Sequence, residues 1–461
     1  MLPIAAVAAC FWPGVPMYDT VAQYGQVLSN VVDDWHPPVM VRLWQLLHPL
    51  APQAAPMFAL QAALYALGFG LLVAALARRA RWKSAIAASA LGLSPLLLGW
   101  QMVVLKDAQM LGALVVAVGI AAHYRLQDRN IAFVAAAAMT LFIGYATLVR
   151  ANAVFVTAPL AVLLVQRPAS LAVRGLAAVA AVAAVLAATP LIDHRLLDAA
   201  PSEVAKSQPI FDLAAIAVAS PASPSIFTSA ERARIERLHC VKAFFWDPLG
   251  DPTACSAATG RLMAVPQSEL YRALAAGVAD HPLAYTRHRL EHWNATERWL
   301  VEAGLTDAAP PIEAEPNDLG LAGPSSALAA GWQDAAAVEA ATPLGWPVVW
   351  TAVGLFLLPI AWRRRAESAG GLALALIVSG LSLEASFLIV SIASDLRYHL
   401  WPMLAAPLAL ILLGDDLRAP RRQGIIGAIL LMAVIAGGVI ARFSLPRAPG
   451  SYQGMIHAAT G

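Results

Sequence analysis

Charge is what this chain has least of. Only 13% of its 461 residues are Asp, Glu, Lys or Arg, against 59% hydrophobic residues, and the mean hydropathy is +0.65. A soluble domain carries about a quarter charged residues, so a soluble globular fold is excluded. The few basic residues are dispersed along the chain rather than gathered in one groove, which excludes nucleic acid as a partner. Cysteine is scarcer still. Three are present, with no CxxC pair and no Cys/His cluster at zinc spacing, which removes a structural zinc site from consideration. No basic stretch precedes the first apolar run, Met1–Trp12, so it does not read as a secretory signal; Val7-Ala8-Ala9-Cys10 resembles a lipoprotein cleavage box only faintly. There is no internal repeat and no low-complexity tract beyond alanine enrichment.

What is there is a series of apolar runs. Spanning a bilayer takes about 20 apolar residues. Runs near that length are Pro56–Ala77, Ser84–Trp100, Ala108–Tyr124, Ile131–Leu148, Ala153–Gln166, Leu171–Thr189, Leu344–Trp362, Gly370–Ala393, Leu400–Leu413 and Gly424–Ala441. With the short Met1–Trp12 run they predict about 11 transmembrane helices in an all-α polytopic membrane protein. Charge supplies an independent check. Five short loops, Arg78–Lys83, Arg125–Arg129, Arg167–Arg174, Arg363–Arg365 and Arg418–Arg422, hold 14 of the 31 Lys and Arg. Cytoplasmic loops are enriched in these residues, and alternation of eleven spans from a cytoplasmic N-terminus makes each predicted inner loop one of the five. The sequence thus reads as a transmembrane module over 1–190, a mainly helical outer domain over 191–343 and a C-terminal transmembrane module over 344–461. The expected location is a bacterial inner membrane, with the outer domain in the periplasm.

Two outer segments exceed ordinary loop length. The first, 13–55, predicts two juxtamembrane amphipathic helices, Thr20–Leu28 and Pro38–Leu47, the second opened by a proline suited to a first helical turn. The second, 191–343, has nineteen acidic and eleven basic residues between Asp193 and Glu339. Amphipathic helices are expected there at Ser229–Leu238, Glu269–Asp280 and His281–Trp299. Cys240 and Cys255 both fall in this domain, either as a disulfide or as two buried thiols.

The same sidedness sorts the unusual polar residues. Asp19, the cluster Asp33, Asp34 and His36, the pair Lys106-Asp107, Arg150 with Asn152, and Asp395 with Arg397, Tyr398 and His399 all fall at outer helix ends. Ionisable groups at membrane depth are costly and usually functional, and positive-inside statistics disfavour cations on this face. Lys106, Arg150 and Arg397, with His399, are therefore candidate ligands for a phosphate, which Arg binds with its planar fork and Lys as a point charge. Backbone N–H groups of the helix opened by Asp107 would assist. Each cation has a bland alternative, an ion pair with its neighbour: Lys106 with Asp107, Arg397 with Asp395. Asp19 is a candidate general base, or an N-cap of the helix that follows it. Asp34 and His36 are candidate acid/base residues, and Asp33 suits a solvated turn. Asp107, Asn152, Tyr398 and Asp395 are supporting residues. No spacing demands a metal, although Asp19, Asp34 and His36 offer ligand types for a divalent cation. Glu384 stands within a span, as a packing hydrogen-bond partner or as a wall of the site. Trp246, Trp293 and Trp299 suit either sugar stacking or a core.

At these residues the chain resembles the GT-C superfamily of integral membrane glycosyltransferases, in particular bacterial family-39-like members that use polyprenyl-phosphate sugars. The resemblance is carried by Tyr18-Asp19-Thr20 with Gln23-Tyr24, His36-Pro37-Pro38, Lys106-Asp107, Arg150 with Asn152, Asp212-Leu213 and Arg397-Tyr398, in that order. It covers 13–160 well and 380–415 moderately, while 191–343 matches by position. It implies that Asp19 is the catalytic base and that Lys106, Arg150 and Arg397 contact the lipid phosphate. The partners implied are a polyprenyl-phosphate-linked sugar donor and a glycan, lipid or polymer acceptor, with membrane lipids around both. Two features depart from the family: the first span is short, and the acidic pair of protein mannosyltransferases is here Asp19-Thr20. A transporter or flippase for a lipid-linked or anionic substrate, and an O-antigen polymerase or ligase, are the alternatives; a transporter would place polar groups at mid-membrane on broken helices.

Overall fold

A computed structural model describes residues 2–165, 170–221, 225–414 and 421–458. Arg167 and Arg418 of the basic loops, Met1, and Gln166 at the end of an expected span lie outside the described residues. Among these residues every extended element is a helix, and backbone pairing between strands is limited to isolated bridges. The first membrane half contains α1 (Leu2–Cys10), α2 (Tyr18–Ser29), α3 (Pro38–Leu47), α4 (Ala55–Arg78), α5 (Trp82–Gly92), α6 (Pro95–Gln101), α7 (Lys106–Arg125), α8 (Phe133–Leu148), α9 (Val154–Leu164) and α10 (Leu171–Leu191). The outer region contains α11 (Ser207–Ala219), α12 (Ser229–Arg237), α13 (Asp247–Gly250), α14 (Ser256–Met263), α15 (Gln267–Asp280), α16 (Pro282–Thr296) and α17 (Ala327–Ala341). The chain ends with α18 (Pro347–Arg363), α19 (Ser368–Val390), α20 (Leu400–Leu413), α21 (Arg421–Ser444) and α22 (Tyr452–His457).

Six helical segments, Ala55–Arg78, Lys106–Arg125, Ala172–Leu196, Ser368–Val390, Leu396–Leu413 and Arg422–Ser444, have the length and composition to cross a membrane. The chain is an all-α membrane protein. Three shorter apolar helices, Phe133–Leu148, Ala151–Leu164 and Pro347–Arg363, accompany them. The expected continuous span Ser84–Trp100 is broken into α5 and α6. Ser94 caps the second piece and Pro95 occupies its first turn, because proline has no N–H to continue the preceding helix.

Helix α7 is buried nearly all round and α10 lies at the periphery. Helix α7 meets α4 along glycines: a Cβ on Gly119 would stand 2.6 Å from the Gly68 carbonyl oxygen, and one on Gly68 would stand 2.5 Å from the Val115 backbone. Small residues at such a crossing let two helices approach where lipid offers no hydrophobic drive. The outer region has its own core around Phe211, Phe244, Phe245, Leu249 and Leu262, which also receives Met455 and Ile456 of α22. Cys240 and Cys255 are bonded as a disulfide within it. Not all of 191–343 packs on this core, since Leu321, Ala329 and Ala340 belong to the core of the membrane half. Gln333 on α17 donates to the Gly99 carbonyl at 3.3 Å, and Glu339 accepts from Ser94 Oγ at 2.8 Å and from the Leu96 N–H at 3.0 Å, so α17 joins the membrane half. Its long alanine run had no periodic polar face to reveal that partner.

The predicted juxtamembrane helices α2 and α3 form within two residues of their expected bounds. Helix α2 starts at Tyr18, so Asp19 lies inside its first turn and does not cap it. Basic loops meet at one end of the bundle: Arg79 pairs with Asp128, Ser368 Oγ donates to the same carboxylate at 2.9 Å, and Arg81 donates to the Leu412 carbonyl at 2.8 Å. The start of α7, the end of α8, the end of α19 and the segment leading into α20 lie at the other end.

Candidate functional site

Four separate segments deliver the site. The loop 102–105 between α6 and α7 is held in extended form by a backbone bridge between Val15 and Val103, and the Thr20 hydroxyl donates to the Val104 carbonyl at 2.6 Å. Beneath it, Gln61 Nε2 donates to the carbonyls of Gln101 at 2.6 Å and Val103 at 2.8 Å, and Gln109 Nε2 to that of Met57 at 2.9 Å. These buried glutamines satisfy backbone groups that the broken helix leaves open, as low-dielectric surroundings require. They fix the start of α7, and with it Lys106 and Asp107. Their sequence signal was weak, since an isolated Gln in an apolar run reads as tolerated rather than required.

The segment 391–397 is fixed from the outer region. Arg289 donates to the Ser391 carbonyl at 2.7 Å, the Trp246 N–H to that of Ile392 at 2.9 Å, and Arg298 to that of Ser394 at 3.1 Å. Asp212, singled out in the sequence, is the buried partner of Arg289 at 2.5 Å and lies 3.3 Å from His288 Nε2. It therefore braces this segment through Arg289.

These supports bring Asp19, His36, Lys106, Asp107, Arg150, Asn152, Asp395, Arg397 and Tyr398 together. Lys106 Nζ stands 3.1 Å from Asp19 Oδ2 and 3.3 Å from His36 Nδ1. Arg397 reaches Asp19 at 2.9 Å, Asp395 at 2.8 Å and Asp107 at 4.0 Å. Arg150 pairs with Asp107, donates to Asn152 Oδ1 at 2.7 Å and lies over the Tyr398 ring, 4.0 Å from its centroid. Of the neighbour pairs that were the bland alternative, Arg397 with Asp395 forms; Lys106 turns from Asp107 to Asp19.

Three cations therefore meet three carboxylates, all at least half-buried. Burial works against the charged form of Asp19, but Arg397 and Lys106 outweigh it and hold the carboxyl well below the usual carboxylate range. Burial and the neighbouring Lys106 push His36 down to about 4, so it is neutral at pH 7 and accepts from the ammonium. Lys106 is the first residue of α7, where a cation opposes the helix dipole; Asp19 compensates it. Buried cations left alone would be strongly destabilising, and the carboxylates hold them in register for an anion able to displace the pairing.

Two predicted site residues, Asp34 and His399, lie elsewhere, and Asp33 takes the turn position expected of it. Asp33 accepts from Gln26 and from the Trp35 N–H, each at 3.0 Å, as a turn residue. Asp34 accepts from the Ser202 N–H and hydroxyl at 2.6 Å and lies 3.6 Å from His194, tying the first outer segment to the start of the outer region. Asp19, Asp34 and His36 do not form a ligand set, and among the described residues no three His, Cys, Asp or Glu side chains gather as a metal site. His399 turns away from the cations to Glu384 at 2.8 Å. Glu297, which accepts from Thr351 Oγ1 at 3.1 Å, lies beside Glu384; burial and then Glu384 push its carboxyl well above the usual range. Glu384 is thus a packing partner beneath the site. Trp299 donates to the Val434 carbonyl at 3.0 Å, as a core residue. Trp246 faces Trp35 across 6.4 Å between ring centroids.

Comparison with protein families, with characterised proteins and with solved structures returns no match.

Proposed function

We propose that the protein is a membrane glycosyltransferase of GT-C type that moves a sugar from a polyprenyl-phosphate donor to a glycan, lipid or polymer acceptor on the outer face of a bacterial inner membrane. In this reading the chain crosses the membrane eleven times from a cytoplasmic N-terminus, and the 191–343 region and α22 lie in the periplasm. The observation that carries the proposal is the convergence of Lys106, Arg150 and Arg397 from three helix ends onto one buried point. A lipid-anchored phosphate reaching that depth meets a point charge, two guanidinium forks and the first N–H groups of α7. The same groups stabilise the charge that develops on the phosphate as the glycosidic bond breaks. The attacking hydroxyl must lose a proton to a carboxylate, for which the resemblance points to Asp19. That residue regains basicity only when a phosphate draws Lys106 and Arg397 away from it. The bonded Cys240–Cys255 pair supports an oxidising, extracytoplasmic setting.

The transporter reading has one observation in its favour, the break between α5 and α6. The N-terminus that the break frees is filled by Glu339, which accepts from the Leu96 N–H, whereas a substrate site there would leave it open.

The test is label transfer from a panel of radiolabelled polyprenyl-phosphate hexoses and pentoses into an envelope fraction. Transfer by the native protein, lost in Arg150→Ala and Arg397→Ala, is the expected outcome. Movement of lipid-linked sugar across vesicles without a covalent product would instead favour the transporter. Sidedness is tested separately: single cysteines replacing Arg365 and Asp280 should be labelled by an impermeant maleimide from the inside and the outside respectively, and the reverse pattern would overturn the topology.

A further inference from the structure

Asp19, Asp107 and Asp395 are each bridged by a Lys or Arg. Asp247 is different. Among the described residues it has no cation within ion-pair distance, and its carboxylate accepts a hydrogen bond from the Tyr452 hydroxyl of α22. It opens α13, and the residues just before it lie against the segment that leads to Arg397: the Trp246 N–H donates to the Ile392 carbonyl at 2.9 Å, and Phe245 bridges Ala393 in antiparallel register. The preceding side chain, Trp246, faces Trp35, which is 41% exposed and adjoins His36, the partner of Lys106. Asp247 therefore follows directly on the backbone that packs against the segment carrying Asp395 and Arg397, next to the buried Trp246 and the exposed Trp35. The charged groups around it are Asp395, Asp307, Asp19 and Asp251. Asp307 also has no ion-pair partner among the described residues, but one of its oxygens is buried and unbonded and it lies on the Arg298 side.

We propose that Asp247 is the base that takes the proton of the acceptor hydroxyl, an inference that rests on the sugar-transfer reading above. The acceptor oxygen forms a bond to the anomeric carbon while the bond from that carbon to the phosphate oxygen breaks. The electron pair goes to the phosphate held by Lys106, Arg150 and Arg397. The hydroxyl proton goes to Asp247 and from there to water. The exposed Trp35, backed by the buried Trp246, offers an apolar face for the sugar ring of the acceptor or donor. Burial, then Asp395, Asp307 and Asp19, push the Asp247 carboxyl up to about 7, where a general base works best near neutral pH. Asp19, held between two cations, is the weaker base.

The experiment measures label transfer from the same polyprenyl-phosphate sugars, from pH 5 to 9, for the native protein, Asp247→Asn, Tyr452→Phe and Asp19→Asn. The native rate should rise through a single step near pH 7. Asp247→Asn should lower kcat by at least about a hundredfold and abolish the step, with donor KM unchanged and the protein still monodisperse in detergent. Tyr452→Phe removes a hydrogen bond to the charged form and should move the step to higher pH, an outcome that does not require Asp247→Asn to fold. An Asp247→Asn variant with the native rate and pH step overturns this assignment while leaving the sugar-transfer reading intact, as does loss of the step in Asp19→Asn alone. No transfer by the native protein from any donor in the panel overturns both.

Discussion

Arg397 donates to Asp19 across 2.9 Å, although 378 positions separate them in the chain. Both side chains are more than nine-tenths buried, so removing either leaves the other in a low-dielectric surrounding with one partner fewer, Asp19 keeping Lys106 and Arg397 keeping Asp395. Breaking a buried pair by deleting one partner costs about 3 to 5 kcal/mol. Arg397→Ala should therefore lower the melting temperature in detergent as well as abolish activity. Asp19→Asn combined with Arg397→Ala should cost less than the two single changes added together, with a coupling of about 1 to 3 kcal/mol. Strict additivity in thermal unfolding would show that the two side chains do not depend on each other.

Lys106 should behave differently. It is the first residue of α7, where a positive charge opposes the helix dipole, and Asp19 keeps Arg397 when Lys106 is lost. Lys106→Gln is expected to lower stability less than Arg397→Ala. Its donor KM should rise about 10- to 100-fold, the range for one charge-assisted hydrogen bond to phosphate. A change in kcat with donor KM unaltered would remove Lys106 from the donor phosphate.

Much of this site was legible in the sequence because sidedness is a property of charge, and charge is scarce here. Asp19, Lys106, Arg150 and Arg397 stood out as ionisable residues in short polar clusters at the ends of apolar runs, and the structure brings all four together. The residues that do not join them share a physical reason. Asp34 and His399 are chemically indistinguishable from site residues by type; their partners, Ser202 and Glu384, lie 168 and 15 positions away. The break at Ser94-Pro95 was visible as a helix-start signal inside an apolar run, but hydropathy averages over it. Asp247 escaped notice because its distinction is the lack of a cation, which only the folded arrangement of 244–247 against 391–397 exposes.

The Cys240–Cys255 disulfide closes 15 positions within the core formed by Phe211, Phe244 and Leu262. Replacing both cysteines by serine should destabilise that core by about 3 kcal/mol. Helices α4 and α7, which belong to the separate core of the membrane half, should be unaffected. Limited trypsin digestion checks this: cleavage should accelerate at Arg232, Arg234 and Arg237 on α12, while fragments containing α4 and α7 persist. Equal acceleration in both halves would mean that the outer core and the membrane half unfold together.

Stability should also depend on pH through Asp247. Burial and the carboxylates of Asp395, Asp307 and Asp19 raise its folded-state value to about 7 from an ordinary value of 3.8. Between those two values the folded protein binds a proton that the unfolded chain has released, so this residue's contribution to stability falls as pH rises through the window. Asp307, pushed up to about 6 by burial and then by Asp395, acts in the same direction. Above pH 7 the Asp247 carboxylate is ionised beside those of Asp395, Asp307, Asp19 and Asp251, and the full penalty is present. Asp247→Asn removes that penalty while keeping an acceptor for the Tyr452 hydroxyl. Its melting temperature relative to the native protein should therefore increase from pH 4 to pH 8, even as transfer activity is lost. A difference that stays constant over this range, or shrinks, would show that Asp247 titrates at its ordinary value and does not face the cluster of acids at the cradle.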